Sequence, residues 1–318
     1  MVAATGLTKR FGDFVAVDDL SFAVNRGEVV GFLGPNGADK STTMKMITGY
    51  LAPTRGSVSV CGLDLFREPI AVKSQLGYLP EGAPLYGDMT PRGLLDFVAD
   101  ARGLRAADKR RRIDAAVARI QLQSVLHQPI ETLSKGFKRR VGLAQAILHD
   151  PPVLILDEPT DGLDPNQKHE VRHLIQEIAA DKAIIISTHI LEEVDAICTR
   201  AMVIARGKLL VDGTPRDLVT RSSTFNAVEI VLQDPALGEA VQAALQALPG
   251  VDAVSAGTVA GQRRLVARPA RGVLIIEPVQ TLLREKGWQA EQIRVLPGSL
   301  DEVFRDLTSQ VGGEATRS

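Results

Sequence analysis

The sequence predicts an α/β fold with a parallel-sheet core, followed by a small α+β domain. Short apolar runs at residues 29–33, 153–156 and 183–187 are typical of buried parallel strands, and helical patterns separate them. The segment 225–310 instead shows the pattern β-α-β-β-α-β, which is the order of a ferredoxin-like domain. We therefore expect a large α/β domain at residues 1–220 and a smaller accessory α+β domain at 225–310.

The bulk composition narrows the classes of function. A net charge of −1 over 318 residues gives no electrostatic argument for binding nucleic acid or an anionic membrane surface. The two cysteines, Cys61 and Cys198, have no metal-ligand spacing and suit a reducing compartment. The N-terminal residues lack a signal-peptide pattern, and no apolar run approaches the ~20 residues that span a bilayer. Any membrane role is therefore expected to come through a partner.

The N-terminal segment, residues 2–32, contains short β-rich stretches separated by Gly and Asp turns, and residues 56–60 add another strand. Phe11 lies among polar residues in the stretch Lys9–Gly12. Taken alone, this aromatic ring indicates ordinary packing.

A glycine-rich turn follows the first apolar run and precedes a helical pattern. Strand, turn and helix in this order are the setting of a phosphate-binding loop, where backbone amides and the positive helix end hold phosphates. Lys40 would reach the β- and γ-phosphates of a nucleotide, and the Ser41 hydroxyl would bind Mg²⁺. The turn consists of Gly34, Pro35, Asn36, Gly37, Ala38, Asp39, Lys40, Ser41 and Thr42.

Asp39 departs from the usual loop pattern, G-x-x-x-x-G-K-[ST], which has glycine immediately before the lysine. Glycine lets the backbone approach the phosphates without a Cβ atom. An aspartate adds negative charge beside a polyanion, and at ~5 Å with an effective dielectric of ~20 the repulsion is about 3 kcal/mol. We therefore expect Asp39 to weaken nucleotide binding and to impair turnover.

The region of about 82–150 predicts a helical subdomain. Its basic run, Lys109–Arg112, is flanked by aspartates and indicates a solvated helix face rather than a nucleic-acid site. A further helix is expected at 138–149, after a start in which Ser134 is placed as an N-cap. Gly136 in this start permits a close backbone approach.

Two carboxylates end the second apolar run. Ligands bind at the carboxyl ends of parallel strands, so Asp157 would hold Mg²⁺ directly or through water, and Glu158 would polarise the attacking water. The third apolar run leads to His189. A lone histidine is usually structural, but at the end of a neighbouring strand it is a candidate for contacting the γ-phosphate or the lytic water.

A metal-hydrolase alternative comes from residues 169–173, which match H-E-x-x-H and place His169 and His173 on one helix face. Glu192 stands at a distance along the chain that a third zinc ligand occupies in such sites. The strand-like run at 183–187 would separate Glu192 from the pair, so we expect no zinc.

Together these motifs resemble the nucleotide-binding subunit of an ATP-binding-cassette (ABC) transporter over residues 2–220, because five of them occur in the family's order. Residues 133–137 resemble the signature motif of the family but have Lys135 and Phe137 where glycine and glutamine are commoner. The matching motifs are Walker A (34–42), the Q-loop position (Glu81), the signature (133–137), Walker B (153–158), the D-loop (161–164), the switch histidine (His189) and the adenine-stacking aromatic (Phe11).

The resemblance implies a P-loop NTPase fold of the ABC cassette type, with a parallel-sheet core plus antiparallel β and helical subdomains. It implies ATP and Mg²⁺ as cofactors, with Glu158 and His189 in the catalytic roles. Such subunits form head-to-tail homodimers, so Ser134 and Gly136 of one copy would face the phosphates held by Lys40 of the other. A separate multi-span membrane permease is the implied partner, which places the chain at the cytoplasmic face of the cell membrane, with no role for nucleic acid.

The Lys-Gly-Phe signature, Glu81 and the C-terminal appendage are similar to ABC-2-type exporters, and the gliding-motility-associated branch is the nearest match. Two alternatives remain. A soluble cassette ATPase acting on nucleic acid or ribosomes commonly carries two cassettes or a coiled-coil insertion, and neither pattern occurs here. A regulatory cassette that binds nucleotide without hydrolysis is favoured by Asp39 alone.

Overall fold

The computed structural model describes residues 1–35, 37–259 and 261–313. The chain divides into two compact units, Met1–Pro215 and Arg216–Ser318, and each is described by itself. Asn36 of the predicted phosphate loop lies outside the described residues.

The first unit contains two sheets. Its strands are β1 (Val2–Phe11), β2 (Phe14–Val24), β3 (Val29–Leu33), β4 (Arg55–Val60), β5 (Leu63–Asp64), β6 (Leu76–Leu79), β7 (Val153–Asp157), β8 (Ala183–Thr188), β9 (Arg200–Ala205) and β10 (Lys208–Gly213). The larger sheet has the order β10-β9-β3-β8-β7-β6 and is parallel except for the β9–β10 hairpin. Strands β3, β7 and β8 are buried throughout, which explains their continuous apolar sequences.

The second sheet of this unit is antiparallel, with the order β2-β1-β4-β5. It shares one hydrophobic core with the parallel sheet, and the rings of Phe22 on β2 and Phe32 on β3 meet edge to face at 5.0 Å. The stretches around Phe14 and Leu20 form a single strand with register shifts in its pairing to β1.

Helices complete the first unit. They are α1 (Lys40–Ile47), α2 (Pro69–Ser74), α3 (Pro91–Ala101), α4 (Ala106–Ile120), α5 (Lys135–Ile147), α6 (Pro165–Ala179) and α7 (Leu191–Ile197). The long helices α3, α4 and α5 pack on one another and form the helical region. Helix α5 begins at Lys135 rather than at the expected residue 138, because the Ser134 hydroxyl already caps its first turn.

The second unit has the predicted β-α-β-β-α-β order. It comprises β11 (Val228–Leu232), α9 (Gly238–Gln246), β12 (Val251–Val259), β13 (Gln262–Pro269), α10 (Ile276–Glu285), β14 (Ala290–Val295) and α11 (Leu300–Gly313), and α8 (Pro215–Val219) precedes these elements. The antiparallel sheet has the order β12-β13-β11-β14, which is the ferredoxin-like arrangement. Its core, formed with α9 and α10, includes Ile230, Leu265 and Val279.

Among the described residues, no helix combines the length and the apolar character needed to cross a bilayer.

Candidate nucleotide-binding site

Four of the predicted site segments lie at one edge of the parallel sheet. Strands β3, β8, β7 and β6 are consecutive parallel neighbours, so their carboxyl ends lie side by side. The glycine-rich loop follows β3, His189 follows β8, Glu158 follows β7 and Glu81 follows β6. Such an edge is where open α/β sheets bind ligands.

The loop after β3 requires glycine at its first position. A Cβ atom on Gly34 would stand 2.5 Å from the Ile204 carbonyl oxygen and 2.8 Å from the Ala38 Cβ atom, so no side chain fits. Lys40 begins α1 and bends back under this loop, where its Nζ donates to the carbonyl oxygens of Gly34 (2.6 Å) and Pro35 (3.2 Å). The ammonium group of Lys40 is thus held within the loop by two backbone carbonyl oxygens.

Lys40 is 6 % exposed, and burial lowers its pKa, although the carboxylates Glu158, Asp157 and Glu81 oppose this shift.

Asp39 is the N-cap residue of α1 and adopts the left-handed conformation, with φ = 61°. This conformation favours glycine, and Asp tolerates it better than most other residues do. Its Oδ1 accepts a hydrogen bond from Thr42 Oγ1 at 3.1 Å, and the side chain makes no cap to a backbone amide. The first-turn amides of α1 therefore receive no side-chain cap and remain available to an anion.

The groups proposed for Mg²⁺ lie together. Asp157 is fully buried, and burial raises the pKa of its carboxyl, a shift that the nearby Ser187 and Ser41 hydroxyls oppose. Within the described chain, neither carboxylate oxygen makes a hydrogen bond of normal distance and angle. Nearby, Ser41 Oγ donates to Glu81 Oε2 at 3.1 Å. An orphaned buried carboxylate is costly unless a cation accompanies it, so the residues present fit a metal ion.

The described residues contain no group of three or more His, Cys, Asp and Glu side chains arranged to hold a metal ion. Mg²⁺ commonly takes one or two protein oxygens and completes its octahedron with water and phosphate oxygens, which suits Asp157 and Ser41. The H-E-x-x-H pair lies on α6, where His173 Nδ1 is 3.5 Å from Glu177 Oε1, and Glu192 lies beyond β8 on α7.

Glu158 and His189 form the polar pair at the centre of this edge. His189 Nδ1 lies 3.0 Å from Oε1 and 2.9 Å from Oε2 of Glu158. Burial raises the pKa of the Glu158 carboxyl, and the histidine opposes the shift. The Glu158 backbone is left-handed (φ = 52°), and its amide donates to the Ser187 carbonyl on β8 at 2.9 Å. The carboxylate is thereby oriented from both sides.

Arg139 is a positioning residue that the sequence reasoning missed. It is 4 % exposed on α5, and its guanidinium donates to the carbonyl oxygens of Pro80 (3.2 Å), Asp157 (3.1 Å) and Glu158. It thus ties the signature helix to the strand ends that carry the acidic residues. The available signal was a pair of charged residues, Arg139 and Arg140, one turn into a helix whose other buried residues are apolar or glycine.

Glu193 was also missed. It is 2 % exposed on α7, where Oε2 accepts from Thr188 Oγ1 at 2.9 Å and Oε1 accepts from Thr160 Oγ1. Thr160 follows Glu158 by two residues, and Thr188 immediately precedes His189. No sequence signal distinguished this buried carboxylate from the exposed Glu192 beside it.

The signature start lies at the N-terminus of α5. Ser134 Oγ accepts from the Phe137 amide at 3.3 Å, which leaves the hydroxyl proton free to donate, and Gly136 is buried in the first helical turn. In the described chain, no hydrogen bond or ion pair joins Ser134 or Gly136 to the phosphate loop. One copy therefore does not bring the two predicted halves of the phosphate site together.

Lys135 of the signature contacts the turn that follows Glu158. Its Nζ lies 2.8 Å from Asp161 Oδ2, and this hydrogen bond lowers the pKa of the Asp161 carboxyl. The aliphatic part of Lys135 covers Gly162, where a Cβ atom would stand 2.5 Å from Lys135 Cδ. The D-loop continues into α6, which Asp164 caps by accepting from the Gln167 amide at 2.9 Å.

Phe11, at the end of β1, is 50 % exposed, and the Lys9 ammonium lies 5.1 Å from its ring centroid. The ring is therefore not part of the core and presents a face on which a planar base can stack.

Comparison with protein families finds that the ABC transporter family matches residues 17–161. The daunorubicin resistance ATP-binding protein DrrA3 of Streptomyces coeruleorubidus is 34 % identical over 310 residues, covering 96 % of this chain and 95 % of that protein. The Nod factor export ATP-binding protein I of Ralstonia nicotianae is 35 % identical over 74 % of each chain. The probable multidrug ABC transporter ATP-binding protein YbhF of Escherichia coli is 39 % identical, but the match spans only 39 % of its length.

Solved structures agree with this similarity. An ATP-binding subunit of an ABC transporter superposes with a TM-score of 0.65 at 33 % identity, covering 70 % of this chain and 92 % of that chain. A dimeric cassette in a post-hydrolysis state, bound to ADP and phosphate, superposes with a TM-score of 0.63 at 21 % identity and supports the fold. It covers 68 % of this chain and 99 % of that one.

Proposed function

The chain belongs to the ABC transporter family as the ATP-binding cassette subunit of an exporter, and from this premise we propose that it hydrolyses ATP to drive export through a separate membrane permease. The relatives that support export are named for daunorubicin resistance and Nod factor export. Membership of the gliding-motility-associated branch stays a prediction.

The single observation that carries the proposal is the Glu158–His189 pair beside the phosphate loop. In the proposed mechanism, Lys40 leaves the loop carbonyls and binds the β- and γ-phosphates, and the free amides of α1 hold their oxygens. Glu158 accepts a proton from the attacking water, and its raised pKa makes the carboxylate a stronger base. His189 holds the carboxylate in place and donates to the γ-phosphate.

Asp157 and Ser41 are the proposed ligands for Mg²⁺, which would neutralise charge on the β- and γ-phosphates. Glu81, which accepts from Ser41 Oγ, is placed to sense whether the nucleotide is present. Phe11 stacks on the adenine base in this proposal.

The active form in this proposal is a head-to-tail homodimer. Ser134 and Gly136 are not joined to the phosphate loop of their own chain, and a second copy would bring its own signature helix against that loop. The free hydroxyl proton of Ser134 and the N-terminus of α5 are donors suited to a γ-phosphate. ATP then links the two copies, and hydrolysis releases them.

A groove near Glu81 is the proposed contact with the permease. It encloses about 400 Å³ and is bounded by α3 and the segment at 84–86. Tyr86 and Phe97 are 59 % and 51 % exposed, and their rings meet edge to face at 6.2 Å. Exposed paired aromatics suit an apolar cytoplasmic segment of a membrane protein, which would place the chain at the cytoplasmic face of the membrane.

The test uses the chain co-expressed with the product of the adjacent gene, which the proposal expects to be a six-span membrane protein. Glu158→Gln is expected to lower phosphate release by at least about a hundredfold while ATP binding persists, because only the proton acceptor is lost. Glu192→Gln, an exposed acid on α7, is the matched control and should keep the wild-type rate. Equal hydrolysis by wild type and Glu158→Gln would overturn the assignment.

The permease contact has its own test. Tyr86→Ala with Phe97→Ala should abolish co-purification with the membrane protein but leave ATP binding intact, whereas Phe66→Ala, an exposed aromatic outside the groove, should have no effect. A regulatory cassette that does not hydrolyse would show ATP binding without phosphate release in the assembled complex. Zinc in the purified protein would revive the metal-hydrolase alternative.

A further inference from the structure

The second unit contains a basic cavity of about 770 Å³ that the proposed ATPase cycle does not use. Two segments of this unit, 220–226 and 268–273, form its walls, and Asp252 lies at the boundary. A volume in the range of about 300–1,000 Å³ is the size at which small-molecule ligands are bound.

Three arginines line this cavity: Arg221, Arg268 and Arg271. Asp252 is the one acidic residue among the lining residues, so their charge sums to about +2. Within the described part of the chain, none of the three guanidinium groups has a carboxylate within salt-bridge distance, and Arg268 Nε is buried without a hydrogen-bond partner. Arg221 and Arg271 are exposed and Arg268 is half-buried, so these guanidinium groups are free to bind an anion that enters the cavity.

Three other arginines of the same unit have carboxylate partners. Arg264 and Arg294 both bind the buried Glu229 on β11, Arg294 Nε at 2.6 Å from its Oε1. Arg305 lies 2.8 Å from Asp301 one turn earlier on α11. These three charges are neutralised by carboxylates, whereas the cavity arginines, like Arg263 and Arg284, have no carboxylate partner among the described residues.

The wall that carries Arg221 is held rigidly. Glu302 on α11 accepts hydrogen bonds from the hydroxyls of Ser222, Ser223 and Thr224, the last at 2.7 Å. The segment is also tied to the end of β14 by the Asn226 amide, which donates to the Leu296 carbonyl at 3.0 Å. A fixed wall reduces the ordering that binding a ligand would otherwise require.

The opposite wall is a turn that follows β13. The Val273 amide closes this turn by donating to the Ala270 carbonyl oxygen at 3.0 Å. The Ala270 amide in turn donates to the Gly250 carbonyl oxygen at 2.8 Å. The backbone amides of Arg271 and Gly272 donate to no group in the described chain. Successive free amides in a turn are the type of donor that binds phosphate and carboxylate oxygens.

We infer that this cavity binds a small polyanion through the guanidinium groups of Arg221, Arg268 and Arg271, and that the ligand carries phosphate or several carboxylates. The anion comes either from a free small molecule or from a lipid head group, since both present the same oxygens. This site is separate from the nucleotide site and does not depend on the proposed ATPase function.

The test titrates the full chain with pyrophosphate and with citrate, in a Lys40→Ala background that removes phosphate binding by the first unit. Calorimetry and the fluorescence of Trp288, the single tryptophan and a residue of the second unit, provide two readouts. We expect saturable binding with a Kd below about 1 mM and a loss of at least about tenfold in Arg268→Gln/Arg271→Gln. Arg284→Gln, an exposed arginine on α10, is the matched control and should bind as the parent does.

A parallel arm uses vesicles of phosphatidylglycerol and of phosphatidylcholine. Retention on the anionic vesicles alone, lost in the double variant, identifies a lipid head group as the source when free anions do not bind. If the double variant loses its native Trp288 fluorescence, Arg221→Gln, a substitution at an exposed position, replaces it in both arms of the test. Equal binding by parent and variants, or no saturation by either probe up to about 10 mM together with no vesicle binding, would overturn the inference.

Discussion

Two helix starts in the first unit, those of α1 and α5, are built in opposite ways. Helix α1 begins after Asp39, a left-handed residue whose side chain caps no amide. Helix α5 begins after Ser134, which is extended and accepts a hydrogen bond from the Phe137 amide. The first leaves its amides open, and the second satisfies one of them internally.

In the proposed function, the two starts make two kinds of phosphate contact. The amides of an open helix start need an external anion as their hydrogen-bond acceptor. A charged side chain beside them, such as that of Asp39, therefore acts directly on the bound anion. A capped start is stable by itself and offers a hydroxyl proton to a partner molecule. Substitutions at the two starts separate these properties.

Lys40→Ala removes the cation of the open start. We expect ATP affinity to fall by at least about thirtyfold, because a charged hydrogen-bonding partner of the phosphates is lost. Equilibrium binding of a fluorescent ATP analogue measures this directly. Lys45→Ala, an exposed lysine on the same helix, is the control, and an equal loss in both variants would contradict the role given to Lys40.

Asp39→Gly restores the residue usual at the open start. ATPase activity should rise by at least about tenfold, since about 3 kcal/mol of repulsion is removed at ~5 Å and an effective dielectric of ~20. Asp39→Asn keeps the side-chain size and tolerates the left-handed backbone, so it isolates the charge. Equal rates for all three forms, with the same permease present, would show that the carboxylate is harmless.

Ser134→Ala and Ser134→Asp separate the two roles of the capped start. The alanine variant should lose about 1 kcal/mol of stability together with ATPase activity, because the cap to the Phe137 amide is gone. The aspartate variant keeps a cap but places a carboxylate toward the phosphates, so stability should persist while activity falls about tenfold. Thermal unfolding and phosphate release are the measurements; wild-type activity in the aspartate variant would remove Ser134 from the phosphate site.

Helix α11 provides a third start, in which an acidic side chain is used within the domain. Hydrogen bonds from Ser222, Ser223 and Thr224 lower the pKa of Glu302 from 4.5 to about 2, although its burial alone would raise the pKa. Because the folded-state pKa is depressed, the carboxylate stabilises the unit above about pH 4.5, and this contribution is lost as the pH falls towards 2.

The corresponding prediction is that Glu302→Gln lowers the unfolding midpoint near neutral pH, and that its difference from wild type shrinks between pH 4.5 and 3. Trp288 fluorescence follows this unit, and Glu285→Gln, an exposed acid on α10, is the control. A difference that is constant with pH would show that the Glu302 charge has no part in it.

Strand ends and loops were predictable because they combine apolar runs with chemistry-bearing residues, as at Asp157 and His189. The ferredoxin-like order of the second unit was predictable for a different reason, because its elements are short and clearly periodic. Arg139 and Glu193 were not predictable, because their roles arise from contacts between residues far apart in sequence. The start of α5 was placed too late, since Lys135–Phe137 lacks the apolar periodicity that marks the rest of the helix.

The shared carboxylate of Glu193 has a consequence for how the hydrolytic edge moves. One oxygen holds the turn that follows the water-activating acid, and the other holds the threonine next to the imidazole. A shift of either strand end must therefore carry its neighbour along or break a hydrogen bond in the interior. Through Glu193, the positions of the two strand ends are therefore coupled to each other.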